Sequence, residues 1–257
     1  MRISLLILCL SIFSIQSLAK KEDSLFIRKI YDAALVNGEA HDNLRYLCKN
    51  IGARITGSAE AEMAVLWGKS VLDEANLDQV YLQEVEVPHW ERGTLEAAWV
   101  RQKDKKPIKI DVIALGGSVG TDGMLTGDVI RLDEFDDIFD KTDDEIKGKI
   151  VFYDKAFDQR LLSTGRAYGG CFIQRYKGAI EASRKGAKAV IIRSLASSTD
   201  DHPHTGAMAY NDSIQKIPAA AVSTEDSDLI AEMLKSGPVQ LTIEMDCRWF
   251  GNVNLIM

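Results

Sequence analysis

The stretch RYKGAIEASRKGAKAVIIRS, residues 175–194, carries the clearest secondary-structure signals in the chain. Its first half has helical spacing. The residues expected on the inward face of this helix are Tyr176, Ala179, Ile180 and Ser183. Gly186 follows as a stop, because glycine readily takes the conformation that ends a helix. The second half, AKAVIIRS, is an apolar run typical of a strand that is buried on both faces.

The segments on either side extend this pattern. KGKIVFYD (147–154) precedes the stretch and IPAAAVS (217–223) follows it, and both have strand-like apolar runs. Ser223 opens STED, a capping-box pattern, so a helix is predicted from there to a stop at Gly237. From Ile108 onward, short apolar runs alternate with glycine-rich turns. This part of the chain is therefore predicted to be β-rich, with helices between some of its strands.

The N-terminal part has a different pattern. Helical spacing predominates over residues 23–75, with Ser58 as the N-cap of the last helix. VYLQEVEVPHWERG (80–93) predicts a strand whose alternation slips once and which ends at Pro88. The chain closes with a predicted strand, VQLTIEMDCRWF, and a further apolar run, NVNLIM, over residues 239–257.

Composition and charge exclude several functional classes. The chain has 257 residues and a formal net charge of -7, which suits one or two domains and argues against a nucleic-acid binder. GGSVGTDG (116–123) lacks the following helix and the Gly-Lys-Ser/Thr of a phosphate-binding loop, so it is interpreted as a glycine turn. The acidic run DEFDDIFDKTDDE (133–145) lacks the order of a calcium loop and predicts a solvated loop or helix.

Residues 1–19 have the features of a secretory signal peptide. A basic residue precedes an apolar run that is too short for a membrane span, and small residues precede the expected cleavage after Ala19. The protein is therefore predicted to be exported, periplasmic or extracellular, without a membrane span. The three remaining cysteines, Cys48, Cys171 and Cys247, are predicted to be small core residues.

The segment DDHPHTGAMAY (200–210) places His202 and His204 directly after two aspartates. A catalytic zinc needs about three protein ligands and an open water position, and one loop containing a proline would have to supply them all. Three interpretations stay open: a self-contained zinc site, a solvated loop without a role, and a loop that reaches toward an active site built elsewhere. Cys171, which follows two glycines, is a candidate nucleophile for a cysteine–histidine dyad.

Taken in order, ARITGS, VYLQEVEVPHWERG, DIFDKTDDEIKGKIVFYDKAF, RYKGAIEASRKGAKAVIIRS and HPHTGAMAY resemble the front half of carboxypeptidase Q-type zinc exopeptidases. These belong to the aminopeptidase Y and glutamate carboxypeptidase class. The resemblance implies an α/β fold, in which the start of the exopeptidase core carries an inserted β-rich α+β protease-associated domain that acts as a lid. The implied bounds are 1–19 for the signal peptide, 20–104 for the first helices and strands of the core, 105–238 for the lid and 239–257 for the strands returning to the core.

The same resemblance implies two zinc ions in the complete enzyme, held in a segment that follows the strand resembling NVNLIM. No catalytic residue and no metal ligand is therefore expected within residues 1–257, and this segment by itself is expected to be inactive. The lid-loop residues expected to contact a peptide or dipeptide substrate are His202, His204, Thr205 and Gly206.

The implied function is that of the N-terminal portion of a secreted zinc-dependent exopeptidase, which hydrolyses peptide bonds near a terminus of small peptides. A homodimer of the complete enzyme is compatible with this resemblance. The alternative is a secreted, non-catalytic protease-associated-domain module that binds peptides or proteins.

Overall fold

A computed structural model describes residues 21–256, which divide into two compact units, one ending at Arg54 and one beginning at Ile55. The predicted signal peptide and its cleavage site lie outside the described residues. A search of residues 21–256 finds no helix with both the length and the apolar composition needed to cross a bilayer.

The first unit is helical, as predicted. Helix α1 continues to residue 37, α2 spans Ala40–Tyr46, and a single π-helical turn follows at Leu47–Ile51. Cys48 lies on this turn and is exposed, so the prediction of a core position is wrong for this cysteine. A short turn that buries none of its residues offers no core to a thiol. The other two cysteines are buried in the second unit, as predicted.

The second unit opens with α3, Ala59–Glu74, whose N-cap is Ser58 as predicted. The Ser58 hydroxyl accepts a hydrogen bond from the backbone N–H of Ala61 at 3.2 Å. After α3, two strands pair antiparallel as a separate two-stranded sheet: β1, Glu84–Glu91, and β10, Arg248–Ile256.

Pro88 lies inside β1 opposite Asn252, so the prediction that this proline ends the strand is wrong. Proline is tolerated in an edge strand, and β1 has one neighbour within the described residues. The register shifts between His89 and Trp90, which is later than the slip that the alternation predicts.

The remaining strands form one large sheet. Their bounds are β2 Glu96–Gln102, β3 Ile108–Ile110, β4 Val112–Ala114, β5 Leu125–Leu132, β6 Ile150–Tyr153, β7 Ala189–Arg193, β8 Ala219–Val222 and β9 Val239–Met245. Their order is β3-β2-β9-β5-β6-β7-β8-β4. The pairs β5–β6, β6–β7 and β7–β8 are parallel, and the pairs β3–β2, β2–β9, β9–β5 and β8–β4 are antiparallel. Residues 239–250, predicted as one strand, are divided between β9 and β10 because the chain leaves the large sheet at Asp246.

Further helices accompany this mixed α/β sheet. Their bounds are α4 Asp137–Asp140, α5 Asp143–Ile146, α6 Thr164–Arg184 and α7 Thr224–Ser236. The short helices α4 and α5 occupy the acidic run, in agreement with its interpretation as a loop or helix. Helix α7 begins as predicted, with the Ser223 hydroxyl accepting from the backbone N–H of Asp226 at 2.9 Å. Helix α6 ends as predicted near Gly186, which has φ 79°, but it begins well before Arg175.

Both faces of the large sheet are covered. Successive residues of a strand point to opposite faces, and Ile191 and Ile192 of β7 accordingly belong to two different buried clusters. The first cluster includes Ile230 of α7, and the second includes Ala179 of α6. Tyr176, predicted to face inward, is 38% exposed instead.

Candidate functional site

The loop between β7 and β8 carries the residues predicted to contact substrate. The Ser194 hydroxyl accepts from the backbone N–H of His204 at 2.7 Å and donates to the Val222 carbonyl at 2.6 Å. Earlier in the same loop, the backbone N–H of Asp200 donates at 2.8 Å to the hydroxyl of Thr224, the first residue of α7. The loop is therefore anchored at two points beside the carboxyl ends of its flanking strands.

The two histidines lie on the exposed part of this loop, each beside an aspartate. His202 Nδ1 lies 2.5 Å from Asp201 Oδ1, and His204 Nε2 lies 3.6 Å from Asp200 Oδ1. The Ser198 hydroxyl donates to Asp200 and lowers the pKa of that carboxyl. Across residues 21–256, no group of three or more His, Cys, Asp and Glu side chains is placed to hold a metal ion.

Thr205 and Gly206 connect the loop to the end of β4. The Thr205 hydroxyl donates to the Ala114 carbonyl at 2.7 Å, and the Gly206 carbonyl accepts from the backbone N–H of Gly116 at 2.9 Å. The same Ala114 carbonyl accepts from Arg92 Nη1 at 2.6 Å. Thr205 is an exposed residue and its hydroxyl still has acceptor capacity, so this side chain can serve both the fold and a ligand.

Gly206 packs against the guanidinium of Arg175, a residue that sequence reasoning missed. A Cβ at position 206 would lie 2.5 Å from Arg175 Cζ, so a glycine lets the loop approach this closely. Arg175 is 8% exposed, and its Nε has no hydrogen-bond partner among the described residues. Its Nη2 donates to the Tyr168 hydroxyl. A buried cation is normally paired, yet no described carboxylate forms an ion pair with Arg175.

The sequence did contain a signal for this residue. Residues four positions apart share one face of a helix. The positions Ala167, Cys171, Arg175 and Ala179 follow that spacing, and all four are buried in α6. An arginine within an otherwise small and apolar stripe marks a cation that folding takes out of water.

Beside Arg175, α6 carries a row of neighbouring rings, named the aromatic ladder, which consists of Tyr168, Phe172 and Tyr176; the first pair is tilted and the second is stacked. The ring centroids are 5.9 Å apart for Tyr168 and Phe172 and 5.2 Å apart for Phe172 and Tyr176. Arg175 Cζ lies 5.3 Å from the ring centroids of both Tyr168 and Phe172, within the range of a cation–π contact.

A second charged cluster lies where the parallel strands β5, β6 and β7 end. Asp154, whose side chain is 1% exposed, accepts from Arg131 Nε and from Arg193 Nε, each at 2.7 Å. Arg193 also pairs with Asp228. Both oxygens of Asp154 are thus engaged, so this cluster is satisfied internally, in contrast to Arg175.

Curated proteins similar to this chain share one name. Carboxypeptidase Q of Xenopus laevis is 35% identical over 216 residues, which are 82% of this chain and 43% of that protein. The Mus musculus and Homo sapiens proteins of the same name are each 32% identical, over 82% and 80% of this chain and 43% and 41% of their own lengths. The chain is a homologue of carboxypeptidase Q. It spans less than half the length of these curated relatives. No family model matches the chain.

Solved structures agree with the homology to carboxypeptidase Q. A peptidase M28 precursor from Shewanella amazonensis SB2B is 32% identical and superposes with a TM-score of 0.82, covering 89% of this chain and 51% of that protein. An aminopeptidase from Aneurinibacillus sp. strain AM-1 is 16% identical with a TM-score of 0.53, over 84% of this chain and 45% of its own. At that identity the second likeness supports the fold alone.

Proposed function

We propose that this chain supplies scaffold and lid to a secreted zinc-dependent exopeptidase that cleaves peptide bonds near a terminus of small peptides. The homology to carboxypeptidase Q supports a peptidase. The buried guanidinium of Arg175, which lacks a carboxylate partner among the described residues, supports recognition of a free peptide carboxylate. That group distinguishes a chain end from an internal bond.

In this proposal the large sheet and its helices form the protease-associated lid. The resemblance implies lid bounds of 105–238. The pairing of β2 and β9 with each other and of β9 with β5 favours a wider lid that includes both strands, over residues 96–245. The chain would then enter the lid after β1 and leave it before β10. The Asp246 carboxylate accepts from the backbone N–H of Leu95 at 2.8 Å and so links the segment that enters the lid to the segment that leaves it.

Arg175 is proposed to bind the carboxylate of a peptide. Removing a guanidinium from water without a partner costs several kcal/mol, and the ring contacts with the aromatic ladder offset only part of this. A carboxylate is the complementary ligand, because it accepts two parallel N–H hydrogen bonds from one guanidinium. Gly206, which covers Arg175, would admit the ligand by a small displacement of its loop.

The predicted contact residues take supporting roles in this proposal. His202 and His204 are exposed and offer ring nitrogens to polar groups of a substrate, while Thr205 offers a hydroxyl. The two anchors of the loop at Ser194 and Thr224 would hold these groups in a defined arrangement, which reduces the entropy lost on binding.

The resemblance to zinc exopeptidases implies two zinc ions in the complete enzyme. No group of three or more potential ligands lies together within residues 21–256, so the proposed role of these residues is to bind and orient the substrate. Export likewise rests on the signal-peptide prediction for residues 1–19.

The test is the hydrolysis of dipeptides and of the corresponding dipeptide amides by the complete zinc-loaded enzyme. We expect the wild type to prefer the free acids and Arg175→Met to lose that preference, through a KM for the acids that rises about tenfold or more. Arg101→Met is the matched control, since Arg101 is an exposed arginine that donates to Gln240 on the sheet surface.

Equal preference for acids in Arg175→Met and the wild type would refute the carboxylate role. Unchanged kinetics of His204→Ala across several dipeptides would remove His204 from the substrate contacts. If the complete enzyme hydrolyses no dipeptide, but the chain still binds peptide carboxylates, the non-catalytic binding module is the better description.

A further inference from the structure

We infer that the aromatic ladder selects peptides whose C-terminal residue has an aromatic side chain, while Arg175 holds the carboxylate of that same residue. This inference rests on the proposed function and adds the side-chain class that the site accepts.

The rings of the ladder already have the geometry in which aromatic side chains attract one another. Tyr168–Phe172 and Phe172–Tyr176 lie at 5.9 and 5.2 Å, and Phe157 meets Tyr168 edge-on at 6.3 Å. Favourable aromatic pairs lie about 4.5–7 Å apart. Tyr168 is 36% exposed and Tyr176 is 38% exposed, so a further ring can join the ladder from solvent.

The cation beside these rings identifies the occupant. Arg175 Cζ is 5.3 Å from two ladder rings, so one amino-acid residue can place its carboxylate on the guanidinium and its side chain on the ladder. A purely apolar occupant would leave Arg175 without an anionic partner, at the cost that an uncompensated buried charge carries. Charge complementarity therefore favours an anion with an aromatic body.

The same features disfavour other side chains. An alanine side chain buries too little surface to gain from the ladder. An aspartate side chain would bring a second negative charge toward ring faces that are themselves electron-rich. The predicted order of preference is therefore phenylalanine first, with alanine and aspartate well below it.

The experiment titrates the chain with N-acetyl-phenylalanine, N-acetyl-alanine, N-acetyl-aspartate and the amides of the first two, with binding followed by ligand-observed NMR. We expect the phenylalanine acid to bind about tenfold more tightly than the alanine acid, a difference of about 1.4 kcal/mol, and the aspartate derivative to bind no better than alanine. Phe172→Leu should reduce the phenylalanine preference, which is the ratio of the affinities for the phenylalanine and alanine acids, about threefold or more.

Phe250→Leu is the matched control, because Phe250 is an exposed phenylalanine that stacks on His89 instead of on the ladder. Equal affinities for the phenylalanine and alanine acids, or an equal loss of preference in both variants, overturn the inference. Self-association of the wild type that Phe172→Leu abolishes also overturns it, since the ladder would then be an interface between copies. Absence of hydrolysis by the complete enzyme refutes the proposed peptidase alone and leaves this binding preference intact.

Discussion

Gly178 packs α6 closely against Tyr153 of the sheet, and its replacement by alanine gives a quantitative test of that packing. A Cβ at position 178 would lie 2.9 Å from Cε2 and 3.1 Å from Cδ2 of Tyr153. Tyr153 is fully buried, and its hydroxyl donates to the Gly178 carbonyl at 3.3 Å. Because protein interiors are close-packed, this ring cannot move away without disturbing the residues around it.

Two opposing effects set the size of the change. Overpacking of a well-filled core costs about 1–3 kcal/mol, whereas alanine is favoured over glycine in a helix interior by about 1 kcal/mol. Gly178→Ala should therefore lower the free energy of unfolding by about 0–2 kcal/mol. Gly169→Ala is the matched control, because Gly169 lies exposed in the same helix and a Cβ added there would meet no described atom within 4 Å beyond its chain neighbours and the backbone of its own helix. This control should gain up to about 1 kcal/mol.

The assay is urea denaturation of both variants and the wild type, followed by circular dichroism. Because the two substitutions are chemically identical, the difference between them isolates the overpacking cost, about 1–3 kcal/mol. If Gly178→Ala is as stable as Gly169→Ala, the reasoning that Tyr153 packs tightly against α6 is refuted.

Three further predictions concern the charged cluster, a helix cap and the thiols. Asp154→Ala should lower the free energy of unfolding by about 1.5–3 kcal/mol, because it removes charge-assisted hydrogen bonds to Arg131 and Arg193, which keep Asp133 and Asp228 as partners. Asp133→Ala, which removes only the exposed pair between Asp133 and Arg131, should change it by less than about 1 kcal/mol; similar effects in urea denaturation would contradict this. Ser223→Ala should cost about 1 kcal/mol in the same assay through loss of the α7 cap and Ser223→Gly only a few tenths, so equal costs would argue against capping. Maleimide at pH 7.5 should label Cys48 in the folded chain, but should label Cys171 and Cys247 only after unfolding, because both are buried and burial raises the pKa of the Cys247 thiol to about 11. Peptide mapping that shows Cys247 labelled as fast as Cys48 would contradict the structure.

Local signals predicted much of the fold. Ser58 and Ser223 were identifiable as caps because each precedes a helical pattern, and AKAVIIRS was identifiable as a buried strand because it has no alternation. The start of α6 could not be predicted in this way. Its first turns contain the glycines of TGRAYGG, which disfavour a helix, whereas the Ser163 cap and the burial of Ala167 and Cys171 favour it. The prediction that Pro88 ends its strand was wrong for a related reason. Whether a strand tolerates a proline depends on how many neighbouring strands it has, and the sequence does not show that β1 has only one among the described residues.

The candidate site shows the same limit. The histidines of the loop were predicted as site residues because histidine is a common ligand and hydrogen-bonding group. Arg175 was not predicted, because the inward face of its helix was assigned mainly from apolar residues. Its burial beneath Gly206 joins residues that are far apart in the chain. No local pattern reports such a contact, although the spacing of Ala167, Cys171, Arg175 and Ala179 indicated that the cation was on the buried stripe.

The binding of N-acetyl-alanine and of its amide to the chain, compared between the wild type and Arg175→Met, tests the central claim most directly. The account predicts that the wild type binds the acid about tenfold more tightly than the amide and that Arg175→Met binds both equally. Equal binding of acid and amide by the wild type would contradict it.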